Sequence, residues 1–549
     1  MDFNLAAINE AVEALAPERL CIQFRDRSLT YGEFGDRTRR LANALAERGL
    51  GLHRERVDLA NHESGQDHLA LYLLNGNEYI EGMVGAYKAR VAPFNVNYRY
   101  VAEELEYLLL DSGARGIVYH SSFAPTLEEI RERLPRLEVL LQVADDSGHA
   151  LLDGAEWYED ALAAASPELS DDLRAAWSPD DLYILYTGGT TGMPKGVLWR
   201  QADIFVAALG GRKLGTADEF TDLADIQANA ATGGAKLMPT PPFMHGAAHW
   251  MAFNAFTGGN SLVLQDVVDR LDPADVWRTV ETQGVNILLL VGDAFGKPLL
   301  DELERGDYDT SSMLVVVSGG AALSASVKQR FIDLMPATMI LDGIGASETG
   351  QQGSQLTAAG QETSTGTFTP GPGMCILSED LTRLLEPGDD EMGWLGQAGR
   401  VPLGYLGDPD KTARTFPTID GIRYAVPGDR ARVSADGLLE LYGRDSVTIN
   451  SGGEKIFAEE VEAALAGHPA VRDVVVCGRP SDRWGNEVVA VVQLADGLDV
   501  TDDELLAEAE RHVARYKLPK AIVRREEIQR SPSGKADYRW AKEQATTES

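Results

Sequence analysis

The feature that most constrains this chain is a run rich in glycine and threonine at residues 187–196. It contains four glycines, three threonines and a single lysine, Lys195. Short apolar runs precede it at 182–186 and follow it at 197–199, and such runs are typical of strands. Glycines let backbone N–H groups converge on an anion without a Cβ in the way. The pattern therefore predicts a phosphate-binding loop between two strands.

This loop differs from a Walker A motif, which requires Gly-Lys followed by Ser or Thr at the start of a helix. Here Pro194 precedes the lysine, and an apolar, strand-like run follows it. The P-loop kinases and ATPases are therefore excluded. A plain glycine turn between two strands remains the alternative, although loops of this composition are usually functional.

Composition and charge exclude several further classes. The 549 residues carry a net charge of −35 and only three cysteines, Cys21, Cys375 and Cys477. So acidic a surface disfavours nucleic acid and anionic membranes, and cysteines this far apart predict buried thiols in a reducing compartment. No signal peptide is visible, and no apolar run approaches the roughly 18 residues that span a bilayer. We expect a cytoplasmic protein with no nucleic-acid partner and no membrane span; a homodimer is compatible with these features.

Short apolar strands alternate with helical patterns between about residues 55 and 345. Strands are predicted at 286–291, 314–317 and 338–341, and a helix at 326–335. Such alternation is typical of an α/β fold in which helices flank sheets rich in parallel strands. Ligands in these folds bind at the carboxyl ends of the strands. Two glycine-rich segments, 319–320 and 343–345, stand at such ends.

The pattern changes near Arg444. Helices are predicted at 458–465 and from Thr501 onward, and strands at 471–477, 488–494 and 521–524. Thr501 and Glu504 have the spacing of a capping box, and the apolar stripe of the second helix comprises Leu505, Ala509, Val513 and Tyr516. This is a small α+β domain of ordinary size. The predicted division is an N-terminal domain at 1–444, a C-terminal lid domain at 447–549 and a hinge near 445–446.

Five motifs, in order along nearly the whole chain, resemble those of the acyl-adenylate-forming superfamily. That superfamily includes acyl-CoA synthetases, adenylation domains and luciferases. The motifs are the loop at 187–196, Gly-Ala-Ser-Glu-Thr at 345–349, Gly-Asp at 428–429, Gly-Arg at 443–444 with the loop at 451–456, and Ser-Pro-Ser-Gly-Lys at 531–535. In the first motif, Gly188 replaces the usual serine. The chain is identified as a member of this superfamily by the order and spacing of these motifs.

The resemblance implies a set of residues that bind ATP or AMP. They are Thr187, Gly188, Gly189, Thr190, Thr191, Gly192, Lys195, Gly319, Gly320, Ala321, Asp342, Gly343, Ile344, Gly345, Ser347, Asp429 and Arg444. Within this set, Lys195 would neutralise the β- and γ-phosphates, Asp429 would accept the ribose hydroxyls, and Arg444 would bind ribose or phosphate. Residues 319–321 would let adenine lie close to the backbone. Ordinary turn or surface roles are the alternatives for Asp429 and Arg444.

The implied catalytic residues are Lys535, Glu348, Lys195 and His245. Glu348 and Thr191 would hold Mg²⁺, since a hard cation prefers oxygen ligands; a surface glutamate is the alternative for Glu348. Lys535 would stabilise charge on the attacking carboxylate and the α-phosphate.

The resemblance further implies that the C-terminal domain swings about the hinge between two half-reactions. Relatives usually carry Asp or Lys where this chain has Ser446. The hinge is therefore expected, but its usual side-chain interactions are not. Ser451, Gly452 and Gly453 would border a channel for the incoming thiol.

The sequence constrains the identity of the carboxylic acid less strongly than it constrains the nucleotide site. Met244 stands where adenylation domains for α-amino acids carry Asp, and a buried amine without a counter-charge is costly. The predicted acyl pocket comprises His245, Trp250, Val291, Gly319 and Gly345. A structural histidine is the alternative for His245. Trp250, Met251, Phe253 and Phe256 have helix-face spacing, which favours a core position for most of them.

Two departures from the usual motifs of the superfamily narrow the group of relatives that the chain resembles. Ile344 replaces the usual tyrosine, so an aliphatic contact to adenine is expected. Residues 424–429 and 450–457 are similar to bacterial acyl-CoA synthetases that act on long-chain or bulky cyclic carboxylates, including steroid-derived ones.

The predicted activity is ATP-dependent ligation of a small-molecule carboxylic acid to CoA, through acyl-AMP and with release of pyrophosphate. ATP, Mg²⁺ and CoA are the implied cofactors and co-substrates. One alternative is an acyl-AMP ligase that loads a carrier protein. Another is a noncatalytic acyl- or nucleotide-binding relative, which the intact Lys195, Glu348, Asp429 and Lys535 disfavour.

Overall fold

The computed structural model describes residues 2–187, 193–451, 454–481, 485–531 and 534–547. For Ser446 and Lys455 it describes the backbone alone. Seven predicted site residues lie outside these ranges: Gly188, Gly189, Thr190, Thr191, Gly192, Gly452 and Gly453.

The largest sheet of the described residues has 15 strands and carries the predicted site. From one edge to the other its strands are Arg27–Thr30, Leu20–Phe24, Ser261–Leu264, Lys236–Pro239, Ile287–Leu290, Val315–Gly319, Met339–Ala346, Gly350–Thr357, Thr367–Pro370, Leu439–Arg444, Asp429–Val433, Gly393–Ala398, Ile422–Ala425 and Thr418–Ile419, with Met374–Leu377 beside Gly393–Ala398. The run from Leu20–Phe24 to Met339–Ala346 is parallel, and the strands after it pair antiparallel.

The remaining strands of the described residues form three smaller sheets. One is wholly parallel: Ala92–Asn95, His68–Tyr72, Gly116–His120, Val139–Val143 and Glu156–Trp157. One is antiparallel: Gly404–Tyr405, Lys195–Arg200 and Leu182–Thr187. The last belongs to the C-terminal segment: Glu454–Ile456, Ile449–Ser451, Gly485–Leu494, Val471–Ser481 and Ala521–Arg524.

The α-helices flank these sheets. In the large domain they are Leu5–Leu15, Tyr31–Glu47, Asn77–Lys88, Ala102–Ser112, Ala124–Ile130, Tyr158–Ala164, Asp171–Ala176, Gln201–Ala208, Leu223–Ala231, Gly246–Thr257, Pro273–Gln283, Gly292–Arg305, Ala325–Leu334 and Pro409–Thr415. In the C-terminal segment they are Ala458–Ala466, Asp502–Ala509 and Tyr538–Thr547. Among the described residues, none of these helices has the length and apolar character needed to cross a membrane.

Apolar burial on one face of the main sheet holds the site's scaffold in place. Leu288, Val316 and Ile340 are fully buried in one cluster with side chains of the neighbouring helices, including Val280 and Phe331. Burying side chains of this size contributes about 1.5–3 kcal/mol each. The strand ends that carry the predicted site are therefore fixed by a packed core behind them.

The predicted α/β fold with a separate small C-terminal α+β domain is confirmed. The strand predicted at 521–524 has those bounds, and the helix Asp502–Ala509 begins with the expected capping box between Thr501 and Glu504. One part of that prediction was wrong. The helix ends at Ala509, so Val513 and Tyr516 lie beyond it, and Tyr516 is 48% exposed.

Candidate active site

The turn that carries Glu348 joins two antiparallel strands of the main sheet, Met339–Ala346 and Gly350–Thr357. Two contacts fix this turn: Trp199 Nε1 donates to the Ser347 carbonyl at 2.8 Å, and the Ala346 N–H donates to Thr349 Oγ1 at 3.0 Å. Glu348 is half-buried at the tip. A carboxylate is thus presented at the end of a parallel strand, where ligands bind in such sheets.

Asp429 and Arg444 lie directly opposite each other on paired strands. Arg444 Nε donates to Asp429 Oδ1 at 3.2 Å. Burial opposes the charge on Arg444, but the carboxylates of Asp429 and Glu348 outweigh it and raise the pKa of Arg444. Two predicted nucleotide-binding residues are therefore brought together, and Glu348 is close enough to act on them electrostatically.

Lys535 comes from the C-terminal segment and lies in the same cluster. Its side chain is solvent-exposed, and it lies within electrostatic range of Arg444, Glu348 and Asp429. Burial and then Arg444 lower the pKa of Lys535, while Glu348 and Asp429 act to raise it. The described structure thus places one cation from the small domain among three charged residues of the large domain.

His245 precedes the helix Gly246–Thr257, and its Nε2 atom is buried with no hydrogen-bond partner among the described residues. Burial lowers the pKa of His245 to about 3, and the charge of Lys535 adds to the effect. His245 is therefore neutral at physiological pH. Lys535 is close enough to act electrostatically on this neutral imidazole.

Lys195 is the first residue of its strand and pairs in register with Thr187, across the loop that lies outside the described residues. Its Nζ is 3.2 Å from Asp111 Oδ1 and 6.0 Å from the centre of the Tyr107 ring. Burial opposes the charge, but Tyr107 and Asp111 raise the pKa of Lys195. Lys195 is therefore a cation at the mouth of the loop, held by a carboxylate.

Two neighbouring strand ends are predicted to face adenine. Each carries a glycine on the same face of the sheet. Gly319 pairs with Gly343, and Ser318 with Asp342. A Cβ added at Gly319 or Gly343 would come no closer than 3.6 or 3.5 Å to any neighbour, so space lies above both. At Gly345, by contrast, a Cβ would be 2.3 Å from the Gly350 carbonyl oxygen, so only glycine fits there.

The remaining predicted residues differ in how exposed they are and in which face of the sheet they occupy. Gly320 and Ala321 follow the strand Val315–Gly319 and are exposed or half-buried, and Ile344 is half-buried on its strand. Asp342 instead points to the opposite face, where its carboxylate is buried 2.7 Å from Lys328 Nζ. Only the backbone of Asp342 remains available to a nucleotide. Val291 is buried beside Gly320, and Ser451 is buried in its strand.

On the helix Gly246–Thr257, most of the large apolar side chains lie in the core, as their spacing predicts. Met251, Phe253 and Phe256 are buried, whereas Trp250 is half-buried. Trp250 is therefore the member of this set that borders open space. At the predicted hinge, Asp445–Val447 forms one 3-10 turn, and nothing is described of the Ser446 side chain.

Sequence reasoning missed Tyr405, which contacts the proposed metal ligand. Its hydroxyl donates to Glu348 Oε1 at 2.8 Å, and the side chain is 2% exposed. Burial and the Glu348 carboxylate raise the pKa of Tyr405. Tyr405 and Glu348 are 57 positions apart, so only the pairing of Tyr405 with the strand after the glycine loop brings them together. No local pattern could have indicated this contact.

Tyr405→Phe should weaken divalent-metal binding in the presence of nucleotide by about 10- to 100-fold, because a partner that orients a metal-binding carboxylate is lost. Titration of Mn²⁺ followed by electron paramagnetic resonance measures this directly. Tyr424→Phe removes a hydroxyl from another buried tyrosine and serves as the control. Equal affinity in Tyr405→Phe and wild type would show that the hydroxyl does not orient Glu348.

The donor set fits Mg²⁺ bound chiefly through a nucleotide. Glu348 offers a half-buried carboxylate at the strand end, and Mg²⁺ commonly takes one or two carboxylates together with phosphate oxygens and water. Within the described ranges, no group of three or more His, Cys, Asp or Glu side chains forms a metal cage.

Two family models match most of the chain, and named relatives align with nearly all of it. Residues 9–396 match the family described as AMP-binding enzyme, and residues 460–535 match the AMP-binding enzyme C-terminal domain. The chain is 57% identical to the medium-chain acyl-CoA ligase Mig of Mycobacterium avium, over 99% of this chain and 98% of that protein. It is 39% identical to the 3-oxocholest-4-en-26-oate–CoA ligase of Rhodococcus rhodochrous, over 99% and 96%.

Solved structures share the fold. The anthranilate CoA ligase AuaEII in complex with anthranoyl-AMP has a TM-score of 0.83 at 22% identity, covering 100% of this chain and 98% of that one. ATP-bound MatB from Rhodopseudomonas palustris has a TM-score of 0.79 at 21% identity, covering 99% of both chains. The predicted superfamily is confirmed by these matches together.

Proposed function

Because the chain belongs to the AMP-binding enzyme family, we propose that it is an ATP-dependent acid–CoA ligase acting on medium-chain fatty acids in the cytoplasm. One observation carries the catalytic part of this proposal. Lys535, from the small domain, lies within electrostatic range of Glu348, Asp429 and Arg444 of the large domain. A cation placed between nucleotide-binding groups suits the attack of a carboxylate on a phosphate, because both reactants are anions.

The first half-reaction joins the acid to AMP. A carboxylate oxygen attacks the α-phosphorus of ATP, and the bond to pyrophosphate breaks. Asp429 and Arg444 would hold the nucleotide, and Lys195 would balance charge on the leaving pyrophosphate. Lys535 would stabilise the charge shared by the carboxylate and the α-phosphate. Mg²⁺ bound at Glu348 would supply further neutralisation of the phosphate oxygens.

The second half-reaction transfers the acyl group. The CoA sulfur bonds to the acyl carbon and its proton passes to solvent, while the bond from the acyl carbon to the bridging oxygen breaks. AMP leaves with the oxygen that came from the acid. His245 is neutral, and its buried Nε2 has no hydrogen-bond partner among the described residues; it would contact the acyl carboxylate in the first step without adding a charge. CoA as acceptor is favoured over a carrier protein by the names of the relatives at 57% and 39% identity.

An apolar, half-open sheet face beside the site supports an aliphatic acid. Val317 pairs with Leu341, and Leu341 pairs with Leu356 on the next strand. Val317 and Leu341 are half-buried, and Leu356 is 56% exposed. Because alternate residues of a strand share a face, this face continues as Gly319 and Gly343 toward the nucleotide site. A ligand lying there would have its carboxylate near Lys535 and its tail over apolar side chains.

Val317→Trp should shift the preference of the enzyme toward short acids. Val317 lies on the acyl face and outside the predicted nucleotide-binding set, and the larger side chain would occupy that face, so several methylenes of a medium chain lose their burial. At about 0.8 kcal/mol for each methylene, kcat/KM for octanoate should fall by roughly two orders of magnitude, while that for propionate changes little. Val317→Leu should give a smaller shift. Equal losses for both acids would contradict this placement of the tail.

The function is tested by acid-dependent pyrophosphate release over a panel of carboxylic acids, with CoA, with a phosphopantetheinylated carrier protein, or with neither. We expect octanoate and CoA to give octanoyl-CoA and AMP. Faster turnover with the carrier protein would establish the alternative acceptor. A steroid-derived carboxylate belongs in the panel because of the Rhodococcus relative. ATP consumption that is independent of every acid would overturn the proposal.

A further inference from the structure

The segment that carries Lys535 is held by an arginine and an aspartate. Arg530 donates to both carboxylate oxygens of Asp473, at 2.7 Å from Nε and 2.6 Å from Nη2. Its third nitrogen, Nη1, donates to the Gly534 carbonyl at 3.0 Å. A bidentate arginine–carboxylate pair fixes orientation as well as distance. Arg530 therefore ties the residue directly before Lys535 to the start of the strand Val471–Ser481.

That strand begins with a bulge. Val471 pairs with Leu494 and Asp473 with Gln493, so Arg472 is the extra residue. A bulge leaves the extra residue unpaired in the ladder and redirects its side chain. The Arg472 carbonyl accepts a hydrogen bond from Lys297 Nζ at 2.8 Å, and the Arg472 guanidinium pairs with Asp301.

Lys297 and Asp301 both lie on the helix Gly292–Arg305 of the large domain. The same helix contacts the lysine segment directly: a Cβ on Gly534 would lie 3.3 Å from both Ala294 and Phe295. Gly534 has φ +74°, which glycine adopts without strain. The helix is anchored at the carboxyl end of the strand Val315–Gly319, since the Gly292 N–H donates to Ser318 Oγ at 3.2 Å.

We propose that Arg472 and Asp473 are positioning residues for Lys535. Arg472 docks the small domain on Asp301 and Lys297, and Asp473 orients the lysine segment through Arg530. The chain of contacts runs from the helix beside the nucleotide site to the residue before the catalytic lysine without a gap. This inference rests on the proposed ligase function, because it assigns these residues to the half-reaction that uses Lys535.

The two half-reactions should depend on these contacts unequally. Acyl-adenylate formation needs Lys535 close to two repelling anions. Thioester formation begins from acyl-AMP, in which that repulsion no longer exists. Arg472→Ala and Asp301→Asn should therefore lower acid-dependent pyrophosphate release in single turnover by about tenfold or more, as misplaced catalytic groups do. Formation of octanoyl-CoA from added octanoyl-AMP should stay within about twofold of wild type.

Arg330→Ala is the matched control. Arg330 Nη2 is 3.0 Å from the other oxygen of Asp301 but belongs to the helix Ala325–Leu334 of the large domain. Its loss removes a partner of Asp301 without breaking a contact between domains, so both half-reactions should be unchanged.

Hydrogen exchange of the full-length chain provides a readout that needs no turnover. The amide N–H groups of Gly534 and Lys535 donate to Ser531, and exchange there should speed up by about tenfold in Arg472→Ala and Asp301→Asn but not in Arg330→Ala. Unchanged exchange in both variants, or equal losses in the two half-reactions, would overturn the positioning role. A wild-type chain that released no pyrophosphate would instead overturn the proposed function, while the exchange result would still decide the positioning role.

Discussion

Lys535→Ala is expected to lower the rate of acyl-adenylate formation by about two to three orders of magnitude. The variant loses a cation that the small domain contributes within electrostatic range of Glu348, Asp429 and Arg444. Without it, the incoming carboxylate meets the α-phosphate with one positive charge fewer between them. Transfer of the acyl group from added acyl-AMP to CoA should be nearly unaffected, because its leaving group is already activated.

Single-turnover assays of the two half-reactions measure this split. Lys542→Ala, which removes an exposed lysine from the terminal helix of the same domain, is the control and should retain both rates. A Lys535→Ala variant that kept its adenylation rate, or that lost both half-reactions to the same degree, would show that Lys535 does not act on the carboxylate and α-phosphate.

Glu348→Gln should lower adenylation by about two orders of magnitude and raise the Mg²⁺ concentration needed for half-maximal rate. An amide oxygen carries no charge, so it binds a hard cation more weakly than a carboxylate does. The substitution also removes one of the two carboxylates that act to keep Lys535 protonated. The alkaline limit of adenylation should therefore move to lower pH, since Lys535 is charged only below its pKa.

Rates measured against Mg²⁺ concentration at several pH values separate these two effects. Glu362→Gln, at an exposed position of the segment after the Glu348 hairpin, should leave both curves in place. If Glu348→Gln kept the wild-type Mg²⁺ dependence, the carboxylate would have to serve the nucleotide site in some other way.

Several residues that the structure brings together could be singled out from the sequence because they stand in short motifs at the ends of recognisable elements; their roles stay predictions. Glu348 follows a glycine-rich strand end, and the structure places it on the turn after that strand. Asp429 and Arg444 are 15 positions apart but face each other on paired strands. Lys535 was linked to them through the order of the motifs, and its electrostatic coupling to all three agrees with that link.

Other features depend on contacts between distant segments, for which the sequence carries no local signal. Tyr405 reaches Glu348 through the pairing of two short strands, and Lys195 lies beside Asp111 from a helix far earlier in the chain. Asp342 points away from the predicted nucleotide site because side chains alternate between the two faces of a strand. On that far face its carboxylate pairs with buried Lys328. The predicted domain boundaries and hinge, the side-chain role of Ser446 and the homodimer remain predictions.

The most direct test of the adenylation route is the fate of the acid's oxygen. Octanoate labelled with ¹⁸O in its carboxylate is incubated with the enzyme, ATP, Mg²⁺ and CoA, and the products are analysed by mass spectrometry. If the carboxylate attacks the α-phosphate, one labelled oxygen must appear in AMP when octanoyl-CoA forms. Label found in inorganic phosphate, or AMP formed without label, would contradict the account.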